Sequence, residues 1–313
     1  MADFRLTELP TLSRATVDRG DELREDYRRL QAGWATAKVL LLDRSGGFIA
    51  DAAASHTSPA SHALRWTPAL DVAQVPPAEA VFLGIGDAGD LWALRVDELE
   101  GTPTDARRTG GKLSANDAGL LAEALGILNW HAAASFSPVS GEPMVSGHAG
   151  WVRRGADGVE EYPRTDPAII TVVHDDADHV LLGRQSVWPD GWFSTLAGFV
   201  EPGESLEQCV TREVYEEVGI HVRDPRYLGS QPWPFPRSLM LGFEATADRA
   251  EPLDYRDGEI ADARWFHRDE VIEALAAGRE WRPGDSLPDS GLLLPGNVSI
   301  AHMLIRSWAY AGH

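Results

Sequence analysis

Residues 198–220, GFVEPGESLEQCVTREVYEEVGI, constrain this chain more than any other stretch. Ser205 is a good helix N-cap, Gln208 is its capping-box partner three residues on, and Gly219 suits the left-handed position that closes a helix. The spacing predicts a helix of about four turns between them. Leu206, Val210, Val214 and Val218 recur at helical spacing and give it an apolar stripe to dock on a sheet. Glu213, Glu216 and Glu217 stand three and four apart, so they share the other, exposed face. Three crowded carboxylates repel one another unless a cation sits among them, and carboxylate oxygens are the ligands that Mg²⁺ or Mn²⁺ prefers. Arg212, four residues before Glu216, offsets and orients that carboxylate. In an arbitrary helix such glutamates merely face water, so the weight falls on the pattern as a whole.

Gly198, Glu204, Arg212, Glu213, Val214, Glu216, Glu217, Gly219 and Ile220 fill every fixed position of GX5EX7REUXEEXGU, where U is aliphatic. On these residues the chain resembles the Nudix hydrolases. The resemblance implies an α/β fold, a Nudix α/β/α sandwich around a mixed sheet, and cleavage of a nucleoside diphosphate linked to another moiety.

A chain of 313 residues suggests two domains, and 43% hydrophobic content suffices for real cores. The only cysteine, Cys209, lies inside the predicted helix, so no disulfide forms within one chain; this fits a reducing, cytoplasmic setting. The N-terminal stretch has no signal-peptide core, and no apolar run approaches the ~20 residues a membrane helix needs, so no membrane partner is expected. A formal net charge of −20 opposes tight, sequence-independent binding to a polyanion. A nucleic-acid substrate would have to be gripped at one end.

Residues 1–130 read as an α+β domain. Residues 16–30 and 116–131 have helical patterns, residues 37–42, 80–83 and 91–96 read as strands, and residues 51–77, rich in Ala, Ser and Pro, as an irregular connection. Residues 131–162 carry Gly, Pro and Ser with little periodicity and read as a connector. Residues 163–313 form the catalytic domain, with strands over 168–173 and 180–184 joined by HDDADH, a polar hairpin connection despite its metal-like look. Trp188, Trp192 and Phe193 are core or pocket wall.

Residues 230–238, SQPWPFPRS, hold three prolines and two aromatics and cannot be a central strand. A proline-fixed backbone presents its groups in a preset arrangement, which suits a binding loop and equally a rigid hairpin turn. The run resembles the signature of the NADH pyrophosphatase subfamily of Nudix enzymes, and that resemblance favours the binding loop. The flanks of the connector, NWH at 129–131, FSPVSG at 136–141 and EYPRTDPAII at 161–170, resemble those of the subfamily's zinc ribbon. Ser137 and Ser140 stand where its first CxxC pair belongs, and no cysteine stands where the second belongs. The segment is thus a degenerate, cysteine-free zinc-ribbon-like connector. His131 and His148 are more simply surface or locally bonded residues, so no structural zinc is expected. Phe136, Val139, Val145, Trp151, Val152 and Val159 are expected to pack as a small core instead, against the helix ending at His131 or against a partner subunit.

The subfamily resemblance covers residues 113–313 and implies hydrolysis of the pyrophosphate bond of NADH or NAD⁺ to nicotinamide mononucleotide and AMP, and removal of the NAD cap from RNA 5′ ends. It places Gln231, Pro232, Trp233, Pro234, Phe235, Pro236, Arg237 and Ser238 on the dinucleotide, with Ala301. Tyr162 and Phe199 supply aromatic surfaces for a nucleotide ring, Tyr162 across the interface of a homodimer. By the same resemblance Mg²⁺ or Mn²⁺ would be held by Glu213, Glu217 and Glu259 and the backbone carbonyl of Ala197, with Glu216 and Glu204 holding a second ion or orienting the first. Without the family, Glu259 is equally an exposed strand-end carboxylate. Glu217 or Glu216 accepts the proton of the attacking water. Two alternatives stay open: a broader Nudix hydrolase of ADP-ribose or nucleoside triphosphates, and a catalytically silent nucleotide-binding protein.

Overall fold

The computed structural model describes residues 4–53, 61–255, 258–278 and 291–311. Its contacts divide the chain into two units: Leu12–Thr165 with Pro232–Ser238, and Met1–Thr11 with Asp166–Gln231 and Leu239–His313. This division differs from the boundaries read in the sequence. The connector joins the N-terminal unit because Trp151 donates its indole N–H to the Phe82 carbonyl and Gly150 lies on Val81. Residues 4–11 go the other way, because Phe4 is buried in the core of the catalytic unit.

In the N-terminal unit, helix α1 (Tyr27–Gly33) leads into strand β1 (Lys38–Leu42). Next come β2 (Ala50–Ala52), β3 (His62–Leu64), β4 (Trp66–Pro68), α2 (Ala69–Val72), β5 (Val81–Gly86) and β6 (Gly89–Arg95). A sheet of order β4-β1-β6-β5 forms, with β1 parallel to β6 and antiparallel to β4. Its core is Leu30, Trp34, Val39, Phe82 and Trp92, the two indoles edge to face 5.3 Å apart. Two expectations are corrected. Residues 16–30 are not one helix: Asp18 bridges Ile85, Gly20 is left-handed, and only Asp26, whose carboxylate accepts the Arg29 N–H, starts α1. Residues 51–77 are not irregular throughout, since β3 and β4 pair with β2 and β1; of that span, residues 54–60 lie outside the described residues. These strands owe their existence to backbone pairing with distant partners, which side-chain periodicity does not report.

After α3 (Ala106–Thr109), helix α4 (Ala115–Ala133) is capped by Ser114 and buried along most of its length. The connector follows as a small sheet of order β7 (Met144–Gly147), β8 (Val152–Gly155), β9 (Glu160–Glu161).

The catalytic unit holds β10 (Asp166–His174), β11 (His179–Gln185), β12 (Leu196–Phe199), α5 (Leu206–Val218), β13 (Val222–Trp233), β14 (Ser238–Ala247), β15 (Ile260–His267), α6 (Arg268–Ala276) and α7 (Ile300–Ala309). The sheet order is β13-β14-β10-β11-β15, with β12 paired to β10. Alternation along the strands builds both layers. Ile169, Val173 and Leu181 point to one face and pack on Val210, Val214 and Val218 of α5. Ile170, Val172, Val180 and Leu182 point to the other and pack on Leu304, Ile305 and Trp308 of α7 and Val271 of α6. The result is the α/β/α sandwich. Buried Arg268 ties the second layer together, donating to the Trp308 and Ala309 carbonyls at the end of α7 while its guanidinium stacks on the Trp308 ring.

Candidate active site

Helix α5 forms as its ends dictate: Ser205 Oγ accepts the Gln208 N–H, Gln208 returns a bond to the Ser205 N–H, and Gly219, at φ 76°, closes the helix. Gly198 on β12 has to be glycine for a different reason. A Cβ there would stand 1.9 Å from the carboxyl carbon of Glu213, so this carboxylate lies directly over the β12 backbone.

Arg212 is the hub of the site. Its guanidinium grips both oxygens of Glu204, reaches Glu213 Oε1 at 2.9 Å and Glu216 Oε2 at 2.8 Å, and donates to the Phe199 carbonyl at 3.0 Å. That fork holds the Glu204 carboxyl well below the usual range, at about 2, aided by the Glu201 N–H. Burial pushes Glu213 up; Arg212 opposes the shift, and the charges of Glu216 and Glu259 add to it. Burial also raises the Cys209 thiol to about 12, so the one cysteine is a core residue of α5 and no nucleophile.

The three glutamates of α5 do not share one exposed face. Glu216 is exposed and Glu213 half-buried, but Glu217 is buried, at 3% exposure, because it lies three residues after Val214 and one before Val218, beside the apolar stripe of a helix packed on its sheet. Glu259 lies exposed immediately before β15 and accepts a bond from the Gln185 side chain. Ala197 sits on β12, paired with Ile170. Among the described residues, no three His, Cys, Asp or Glu side chains stand in ready-made metal-ligand geometry, Arg212 being the cation that gathers Glu204, Glu213 and Glu216.

The remaining candidates separate by burial. Phe199 and Tyr162 expose 59% and 61% of their surface, so neither is a core residue of its unit; the Tyr162 hydroxyl donates to Glu160. Gln231 is fully buried and donates its amide to the Val298 carbonyl, and Ala301, in the first turn of α7, packs in the core. Neither side chain presents a surface for a ligand. Residues 232–238 form the hairpin between β13 and β14, with β13 at the sheet edge, the place where a proline-rich strand is tolerated.

Sequence reasoning missed the residues that hold this hairpin. Asn129 of α4 donates to the carbonyls of Pro234 and Pro236, Arg95 donates to Asn129 Oδ1, and the Arg107 guanidinium lies 4.4 Å over the Phe235 ring. The available signal was a polar Asn129 within the strongly apolar run of α4.

In the connector, both ring nitrogens of His131 are engaged. Nε2 donates to the Gly150 carbonyl at 2.6 Å and Nδ1 accepts from Arg153 at 3.0 Å, and burial lowers the ring's pKa to about 4, so it is neutral. The expected small apolar core is not what orders the segment within the chain. Phe136, Val139, Val145 and Val159 are exposed, whereas Val152 is buried and Trp151 half-buried. Polar groups do that work instead: Arg153 also bonds the His131 and Met144 carbonyls, and buried Ser137 accepts the N–H groups of Val139 and Ser140.

A sandwich carrying this box defines a class, and comparison with known proteins agrees. The NUDIX domain model matches residues 164–287. The NAD-capped RNA hydrolase NudC of Mycobacterium bovis is 46% identical over 98% of this chain and 97% of its own length. The human NAD-capped RNA hydrolase NUDT12 is 39% identical over 63% of this chain and 43% of its own. A solved NUDIX hydrolase from Nitrosomonas europaea aligns with 51% of this chain and 98% of its own, at 17% identity and a TM-score of 0.38. The chain belongs to the Nudix hydrolase family.

Proposed function

We propose that this enzyme hydrolyses the pyrophosphate bond of NADH or NAD⁺, giving nicotinamide mononucleotide and AMP, and that it removes the NAD cap from RNA 5′ ends. The observation that carries this reading is the union in one chain of a complete Nudix box, its glutamates gathered on Arg212, with the SQPWPFPRS hairpin. The relatives named for NAD-cap hydrolysis, one matching almost the whole chain, support it. The formal charge of −20 fits an enzyme that takes the capped end and leaves the RNA body alone.

Nudix hydrolases work with a divalent cation. The donors offered here suit one, since all are oxygens and the half-buried Glu213 already feels the charges of Glu216 and Glu259, so added positive charge is welcome. Glu213, Glu217, Glu259 and the Ala197 carbonyl would hold Mg²⁺ or Mn²⁺, with Glu216 on a second ion. Bound there, such an ion polarises phosphoryl oxygens and acidifies an attacking water. Arg212 keeps Glu204 ionised at any working pH and orients Glu213 and Glu216. Glu217 or Glu216 takes the proton of the water. Phe199 and Tyr162, exposed as they are, offer faces on which a nucleotide ring stacks.

The working form is proposed to be a homodimer in the cytoplasm. Phe136, Val139, Val145 and Tyr162, exposed apolar groups within 27 residues of connector (136 to 162), are what a partner subunit would cover. Turnover of NADH, NAD⁺, NAD-capped RNA and ADP-ribose by the purified protein, with Mg²⁺ and with Mn²⁺, tests the proposal. Preference for the dinucleotides supports it; faster use of ADP-ribose than of all three would replace it with the broader hydrolase.

A further inference from the structure

The SQPWPFPRS hairpin poses a problem of its own. Pro232, Pro234 and Pro236 have no N–H, so the loop has few backbone donors with which to brace itself, yet its carbonyls still need partners. One internal bond is present, from the Phe235 N–H to the Trp233 carbonyl at 2.8 Å. Further anchors come from α4. Asn129 Nδ2 spends its two hydrogens on the Pro234 carbonyl at 2.9 Å and the Pro236 carbonyl at 3.1 Å, one on each side of Phe235. Gly126, one turn earlier on the same face, stands beside Pro234, whose ring a Cβ there would meet at an ordinary contact distance of 4.0 Å. Arg107 covers the Phe235 ring.

An amide can present either end, and Arg95 decides which. Its guanidinium donates to Asn129 Oδ1 at 2.8 Å. The flipped amide would face NH₂ against a cation and oxygen against two carbonyls, so only one orientation is stable. Arg95 is half-buried and its Nε has no hydrogen-bond partner, so the bond to Asn129 is the side-chain hydrogen bond that this guanidinium makes among the described residues, with the charge of Asp43 nearby.

We infer that Asn129, oriented by Arg95, is a positioning residue for the substrate: it sets the address of the proline-rich binding loop and thereby the enzyme's preference for dinucleotides. Proline makes the loop stiff, and Asn129 says where the stiff piece goes. The inference rests on the reading of that loop as a dinucleotide-binding element.

The test is Asn129→Ala, with Asn129→Asp, which keeps the size and the acceptor for Arg95 but loses both donors, as the second variant. Each is assayed on NADH and ADP-ribose, and amide hydrogen exchange is followed over residues 228–242. In both variants KM for NADH should rise by about fivefold to tenfold, more than kcat falls, the NADH to ADP-ribose ratio of kcat/KM should drop, and exchange across the hairpin should quicken while that of α5 stays the same. Arg95→Met should reproduce a weaker form of the same pattern. Unchanged KM and exchange in either folded variant would overturn the inference. So would an equal loss on both substrates that tracks a lower melting temperature, the mark of a merely structural role. A wild-type enzyme inert towards NADH and NAD⁺ while the variants still loosen the hairpin would instead fail the reading of function.

Discussion

Glu217 shows what one side chain's environment does to an expectation. It belongs to the box, but it is buried where an exposed ligand was expected. Glu217→Gln keeps its shape and removes the charge. Turnover is expected to fall about a thousandfold or more, with the melting temperature little changed, because a contact made to the transition state is lost while the side chain's shape is kept. Steady-state kinetics beside a thermal melt check it, and full activity in a folded variant would remove Glu217 from the metal site. Phe199→Ala and Tyr162→Ala should each weaken dinucleotide use about fivefold or more without a matching loss of stability, since both rings are exposed. Glu123 gives the pH dependence. Its carboxylate is buried in the N-terminal unit, 3.8 Å from Arg19, with no hydrogen-bond donor among the described residues, and burial raises its pKa to about 7. A folded pKa above the unfolded one means that this group's stabilising contribution is full below about pH 4.5 and is lost as pH rises through 7. The loss amounts to about 3 kcal/mol. Denaturant melts of Glu123→Gln should therefore show a flatter pH dependence than wild type between pH 5 and 8, and parallel curves would contradict it.

At the scale of elements, the connector is a small three-stranded sheet held by polar bonds. A cysteine-ligated zinc supplies on the order of 10 kcal/mol to such a fold. Here the guanidinium of Arg153 bonds one side chain and two carbonyls that come from α4 and β7, and Ser137 Oγ closes its own turn by accepting the N–H groups of Val139 and Ser140. Arg153→Met leaves two carbonyls and a ring nitrogen without their donor, at a cost of about 1–3 kcal/mol. Hydrogen exchange over residues 144–161 should rise in that variant ahead of global unfolding. Metal analysis of protein purified without added zinc should find less than stoichiometric zinc, and a zinc-selective chelator should leave the melt unchanged; one zinc per chain that survives dialysis would overturn the expectation. The box helix is the opposite case, legible in the amino-acid sequence alone, because its cap, stop and apolar stripe are all local.

At the scale of the whole molecule, light scattering is expected to return about twice the chain mass of 34.1 kDa. A monomer mass would leave the exposed connector groups without the partner proposed for them. No helix among the described residues is long and apolar enough to cross a membrane.

What the sequence by itself determined is whatever depends on near neighbours along the chain. The box helix with its capping, the alternation of β10 and β11 that sorts Ile169 from Ile170, and the exclusion of a central strand by three prolines are all set within about one turn or one strand. Burial and long-range pairing were decided only by the tertiary structure. The 51–77 span becomes strands because β1 and β2 are there to pair with, Glu217 is buried because α5 packs close, and Gln231 and Ala301 lie in the core whatever their motif suggests. Asn129 is the sharpest instance. It meets Pro234 across 105 positions of sequence, and nothing local to either residue specifies that bond, since a hydrogen bond depends on where two groups are brought and not on how far apart they are written.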